Sequence, residues 1–261
     1  MGIRIYLPPG EIGKKTGIGL PEEKARYLLT VLRCERGGRL EVIDGQGRAY
    51  EAEISAASKR GVAVDIIGEL SVETESPFRL VLCQGILKGE RMDLVIQKST
   101  ELGVREIIPM VTERSVVRET RKTGRWQRIA EEAAEQCGRA VIPRIHEPVE
   151  FLRFMAGSGS GVQGPGDIAA PLTPHPLQGL VFWEGGGAGL NEALAAALHD
   201  SALPFHLIVG PEGGLTEEEV KAAEGHGLVR ASLGKRILRA ETAAIVSVSL
   251  AQFLLEGRDL V

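Results

Sequence analysis

From residue 78 onward the chain repeats one pattern, an apolar strand run followed by a helix run. FRLVLCQGI leads into RMDLVIQKSTELG, EIIPMVT into RWQRIAEEAAEQCGRA, and HLIVG into a helix from about residue 216. Strands this continuously apolar are covered on both faces. Strand–helix alternation then predicts an α/β domain around a mainly parallel sheet. The first helix carries Met92, Val95, Ile96 and Leu102 on one face, with Gly103 as its stop. The second, read over 125–139, buries Trp126, Ile129, Ala130, Ala133, Ala134 and Cys137. LVFWEGGG, NEALAAALHD, VRASL and a long final helix extend the alternation.

Residues before this region follow a different rule. RLEVIDGQGRAYEAEISAASKRGVAVDII alternates with period two and is punctuated at Asp44-Gly45, Gln46-Gly47 and Arg60-Gly61. These are hairpin signals between short strands, and they predict a small β-barrel. One helix is expected over 21–33, opened by Pro21-Glu22-Glu23. The polar, proline-ended VETESP at 72–77 marks a boundary, giving domains over 1–72 and 77–261. Residues 156–179 are rich in Gly, Ser and Pro and read as a mobile surface loop.

The chain has 261 residues, 43% of them hydrophobic and 4% aromatic, so its cores are aliphatic. Cys34, Cys83 and Cys137 are widely spaced, and the five histidines form no ligand pair, which argues against disulfides and zinc. No secretory signal pattern opens the chain, and the longest apolar run, within 243–255, is too short to span a bilayer. A soluble cytoplasmic protein that needs no metal and no membrane is expected. The net charge of -4 is unevenly spread: residues 1–70 carry +1, 71–144 carry +2 and 145–261 carry -7. The first two stretches are therefore able to present a basic face.

Two loops concentrate the chemistry. In GPEGG, 210–214, Gly210 ends a strand, Pro211 fixes φ, and Gly213-Gly214 permit close backbone approach. Thr216 with Glu219 forms a capping-box pattern at the next helix. In LGKRILRAET, 233–242, Arg236 and Arg239 stand three apart beside apolar residues. Neither a dinucleotide fingerprint nor a P-loop is present. On the helix over 125–139, Glu132, Gln136 and Arg139 at i, i+4 and i+7 are expected to share a polar face.

KGERMDLVIQKSTELGV (88–104), TERSVV (112–117), EEAAEQCGR (131–139), VGPEGGLTEEE (209–219) and LGKRILRAETA (233–243) occur in order. Together they resemble the RsmE family, SPOUT-class methyltransferases acting on N3 of a uridine in 16S ribosomal RNA. The resemblance implies an N-terminal PUA-like barrel for RNA and a C-terminal α/β domain with a deep trefoil knot. It further implies S-adenosylmethionine as cofactor, S-adenosylhomocysteine as product, the small ribosomal subunit as partner and a homodimer. Carried onto this chain, the cofactor loops comprise Trp183, Glu184 and Gly185; Gly210, Glu212 and Gly213; and Leu233, Gly234, Ile237, Leu238, Arg239 and Thr242. The expected catalytic set is Arg139, Gln136, Arg236 and Glu241, with Glu212 or Glu241 as proton acceptor. Arg4, Arg33 and Lys59 of the barrel are expected to hold RNA phosphates. A ribose 2′-hydroxyl methyltransferase and a non-catalytic ribosome-assembly factor are the competing readings.

Overall fold

A computed structural model describes residues 2–157 and 177–257. The loop expected over 156–179 therefore lies, for residues 158–176, outside the described residues. The chain divides into two compact units, Met1–Glu75 with Glu131–Ile142, and Ser76–Ala130 with Pro143–Val261. The chain first passes between the units at Glu75 and Ser76, and Glu131–Ile142 returns to the first.

The first unit contains β1 (Arg4–Tyr6), α1 (Pro9–Ile12), β2 (Ile18–Gly19), α2 (Glu22–Thr30), β3 (Arg39–Ile43), β4 (Ala49–Ser58) and β5 (Gly61–Leu70). Its sheet runs in the order β1-β3-β4-β5-β2, a curled half-barrel with β1 and β2 at its edges. The β3–β4 turn follows from the glycines named above: Gly45 and Gly47 adopt φ of 72° and 111°. The buried Asp44 carboxylate accepts the Gln46 and Arg48 amides at 2.8 and 3.0 Å, replacing backbone partners that the turn removes. Ile5, Leu7, Ile18, Leu28, Val42, Ile54 and Val64 fill the core.

The second unit contains β6 (Leu80–Gly85), α3 (Arg91–Glu101), β7 (Glu106–Val111), α4 (Thr123–Cys137), β8 (Arg144–Ile145), β9 (Val149–Glu150), α5 (Phe151–Met155), β10 (Gln178–Phe182), β11 (Ala188–Gly189), α6 (Leu190–Ala197), β12 (Phe205–Val209), α7 (Glu217–Gly225), β13 (Val229–Ser232) and α8 (Ala240–Glu256). The last residues of α4 belong to the first unit. The sheet order is β11-β13-β10-β12-β6-β7-β8, with β9 also on β7. Every pairing in it is parallel. Strands β6, β10 and β12 are buried at every position, as their largely apolar sequences require, with Gln84, Gln178 and His206 hydrogen-bonded inside. Val81, Cys83, Ile108, Phe151, Phe154, Val181, Ile208 and Val220 form the core on one face.

Helix α3 ends as expected. Gly103 takes φ 92°, its amide bonds Thr100 O at 3.1 Å, and the Val104 amide bonds Ser99 O at 3.1 Å, the Schellman pattern. Helix α4 departs from expectation. It stops at Cys137, because Gly138 turns to φ 91° and the Arg139 amide closes back on Ala134 O at 3.2 Å. Arg139 consequently leaves the helical face expected to be shared with Glu132 and Gln136. It is 3% exposed, and its guanidinium donates to Glu75 Oε2 from Nη2 at 2.9 Å and from Nε at 3.3 Å. Glu75 Oε1 accepts the Ala140 and Val141 amides at 3.1 and 3.0 Å.

Candidate functional site

A cavity of about 590 Å³ opens in the second unit at the C-terminal ends of three neighbouring parallel strands. Ligands of open α/β sheets bind at that edge, because the loops there change direction and leave backbone groups unpaired. After β10 come Trp183 and Glu184, after β12 come residues 210–214, and after Ser232 at the end of β13 come residues 233–239, with Ala240, Glu241 and Ala243 from the first turn of α8. Arg91 of α3 completes the lining. The volume suits an organic cofactor.

The loops lie against each other at distances that exclude side chains. A Cβ at Gly85, the end of β6, would stand 2.4 Å from the Pro211 nitrogen. A Cβ at Gly187 would stand 2.9 Å from the Ala231 carbonyl carbon. Gly214 adopts φ 71°, and a side chain there would meet the Glu184 carboxylate. Below the cavity the buried Gln84 amide donates to Gly85 O at 2.9 Å and Gly210 O at 3.2 Å, tying β6 to the GPEGG turn.

The GPEGG turn passes into α7 through the predicted capping box. Thr216 Oγ1 accepts the Glu219 amide at 3.2 Å, and Glu219 Oε2 accepts the Thr216 amide at 2.9 Å. The indole of Trp183 is fixed from two sides: Nε1 donates to Leu215 O at 3.3 Å, and the Arg230 guanidinium stacks 5.0 Å from the ring centroid. Glu224 holds that guanidinium at 3.1 and 2.6 Å.

The polar side of the cavity is a small charge network. Glu212 Oε1 accepts the Lys88 amide at 2.9 Å and Arg91 Nη1 at 3.2 Å. Partial burial pushes the Glu212 carboxyl up. Its bonds from the Lys88 amide, its own amide and Arg91 outweigh this and hold it below the ordinary carboxylate range. Arg91 Nε also stands 4.0 Å from Glu241 Oε1. Arg236 and Arg239 line the cavity with exposed side chains.

The structure brings together Trp183, Glu184, Gly210, Glu212, Gly213, Leu233, Gly234, Ile237, Leu238 and Arg239 of the expected cofactor set, with Arg236 and Glu241 of the catalytic set. Gly185, Thr242, Gln136 and Arg139 are not among the lining residues. Gly185 instead packs against Trp183, since a Cβ would sit 2.4 Å from the indole. Sequence reasoning missed Arg91; its signal lay in KGERMD, which carries a cation into the first turn of a helix, where a carboxylate is favoured. In the first unit, Arg33 and Lys59 are exposed. Arg4 pairs with Glu41, its side chain 19% exposed.

The residues fit an S-adenosylmethionine-like group. Glycines leave room for a ligand against the main chain, Leu233, Ile237 and Leu238 offer apolar contact, and Ile237 is 86% exposed while lining the cavity. Among the described residues, no group of His, Cys, Asp and Glu is arranged to hold a metal, and no helix is long and apolar enough to cross a membrane.

Comparison with known proteins identifies the family. A family model described as an RNA methyltransferase domain matches residues 74–252, and one described as an RNA methyltransferase PUA domain matches residues 20–67. Ribosomal RNA small subunit methyltransferase E of Synechocystis is 33% identical, over 98% of this chain and 79% of its own length. The Bacillus subtilis protein of that name is 29% identical over 97% and 96%. The crystal structure of a ribosomal RNA small subunit methyltransferase E from Neisseria gonorrhoeae, bound to S-adenosyl methionine, is 31% identical. It superposes with a TM-score of 0.82 over 97% of this chain and 98% of that one. With an RNA methyltransferase domain matched over residues 74–252 and a relative 33% identical over 98% of this chain, the chain belongs to the ribosomal RNA small subunit methyltransferase E family.

Proposed function

We propose that this protein transfers the methyl group of S-adenosylmethionine to N3 of a uridine in 16S ribosomal RNA. The observation that carries the reading is the cavity at the ends of β10, β12 and β13, walled by backbone and flanked by Arg236, Arg239 and Glu241. Bound there, the cofactor supplies an electrophilic methyl group. Trp183, Leu233, Ile237, Leu238 and the 210–214 backbone hold it, with the clamp on Trp183 keeping that wall in place.

Neutral uridine carries a proton on N3, and charge builds on O2 and O4 as that proton leaves. Arg236 and Arg239 line the cavity together with Arg91 and Lys235, and positioned cations stabilise such charge. Of the two carboxylates, Glu212 spends one oxygen on the Lys88 amide and Arg91 and is held ionised as an anchor. Glu241 keeps only the longer contact to Arg91 and is assigned as proton acceptor. Arg91, between the two, positions both. Arg139, buried on Glu75, serves as a structural residue in this scheme.

The base leaves its stack to enter the cavity, and exposed Arg33 and Lys59 of the first unit hold phosphates. The reading includes a trefoil knot through the cavity loops, as the family resemblance implies. It also includes a homodimer in the cytoplasm, supported by the exposed Leu250 and Phe253 of α8, at 40% and 72%. Sedimentation tests the dimer. The reaction is tested by mass spectrometry of 16S RNA digests after incubation of small subunits with enzyme and cofactor. A 3-methyluridine peak is expected; its absence on unmodified subunits overturns the proposal.

A further inference from the structure

Residues 113–128 hold six cations, Arg114, Arg118, Arg121, Lys122, Arg125 and Arg128, against the two carboxylates Glu113 and Glu119, in a chain of net charge -4. All six are exposed. The segment begins at the cavity rim. Arg114 Nη1 donates to Gly213 O at 3.2 Å and Leu215 O at 3.4 Å, and the Glu113 amide donates to Glu219 Oε1 at 2.8 Å. Arg118 Nη2 bonds Glu113 O at 2.9 Å, which folds the loop back on itself. Arg125 pairs with Asp93 at 2.7 Å. Among the described residues, Arg121, Lys122 and Arg128 have no carboxylate partner.

Folding does not explain these cations. They crowd the first turns of α4, whose opening amides favour negative charge, so each one there opposes the helix. Arg125 and Arg128, three apart in α4, lie on one side of it, exposed where Trp126 and Ala130 are buried, and Arg121 and Lys122 immediately precede the helix. A row of unneutralised cations leading from a cavity rim fits a polyanion lying across it. No exposed aromatic interrupts the row, so it grips phosphates and leaves the bases unread.

We propose that residues 114–128 form a second RNA-docking surface, on the catalytic unit itself, which holds the phosphates flanking the target nucleotide beside the cofactor cavity. The proposal rests on the methyltransferase reading above for the identity of the polyanion. Its test measures binding of a 16S RNA transcript by the full chain across a potassium chloride series, with cofactor affinity measured in parallel by calorimetry. Each phosphate contact contributes about 0.7–0.9 to the slope of log K against log salt. The triple variant Arg121→Gln, Lys122→Gln, Arg128→Gln is expected to flatten the slope by about 2 and to leave cofactor affinity unchanged.

Arg128→Gln alone is expected to flatten it by about 0.7–0.9 and guards against a misfolded triple variant. A control, Arg153→Gln with Lys221→Gln on α5 and α7, is expected to leave the slope unaltered. An unchanged slope in the Arg128→Gln protein, or an equal loss in the control, overturns the proposal. Because binding is read without turnover, a flattened slope in a protein that makes no 3-methyluridine upholds the docking surface and removes only the assigned reaction.

Discussion

Glu219 joins two segments more than a hundred residues apart: its Oε1 accepts the backbone amide of Glu113 at 2.8 Å, while Oε2 closes the capping box on Thr216. At 4% exposure, this one carboxylate sets the N-terminus of α7, the exit of the GPEGG turn and the start of the basic segment. Glu219→Ala removes an N-terminal cap partner, worth about 1 kcal/mol, and leaves a buried amide unpaired at a cost of about 1–3 kcal/mol. Thermal denaturation is expected to show the second unit's transition lowered by roughly 4–16 °C.

Gly85→Ala tests the wall of the cavity. The added methyl would lie 2.4 Å from the Pro211 nitrogen and 2.8 Å from the Gly210 carbonyl carbon, both backbone atoms that yield only if the turn shifts. Cofactor affinity, measured by calorimetry, is expected to fall by about tenfold or more, the effect of roughly 1.4 kcal/mol. Gly10→Ala, where the added methyl would meet nothing within 4 Å, is expected to bind the cofactor as the parent does.

His206 of β12 makes the second unit sensitive to acid. Burial pushes its pKa down to about 4, against the bond between its Nδ1 and Gln178 O. The unfolded chain takes up this proton near pH 6.5, so between those values the unfolded state binds more protons and stability rises with pH. The full contribution stands above about pH 6.5 and is lost as pH falls toward 4, by about 3 kcal/mol at most. Urea denaturation of His206→Gln is expected to show a flatter pH dependence in that window. Glu106, held below its ordinary range chiefly by the His146 hydrogen bond, loses its contribution only at lower pH.

Arg139→Ala separates packing from chemistry. Truncation strands the Glu75 carboxylate among buried groups, and breaking a buried pair costs about 3–5 kcal/mol. The first unit is expected to melt at a clearly lower temperature. Below that temperature, calorimetry is expected to return the parent's cofactor affinity.

The sequence exposed what periodicity and glycine encode. Strands β6, β10 and β12 and their helices are legible because runs that are almost wholly apolar have few other uses. The Thr216–Glu219 cap and the Gly103 stop are legible because their bonding is local. Arg139 was misplaced on a helical face because the same register continues through Gly138, and only the positive φ there shows that the helix has ended. Arg91 was overlooked because its partners, Glu212 and Glu241, lie more than a hundred residues away, beyond the reach of spacing. The return of Glu131–Ile142 to the first unit was hidden for the same reason: Glu135 accepts the Tyr6 amide at 2.6 Å, a pairing across 129 positions that no local pattern announces.

Among the described residues Ile237 is the aliphatic side chain left most exposed, at 86%, and it stands at the mouth of the cavity. Water ordered around such a group is released when a ligand settles over it, and that release leaves a thermodynamic mark apart from any hydrogen bond. Cofactor association in this protein should therefore become more exothermic on warming, and replacing Ile237 by serine should blunt that trend before it abolishes binding.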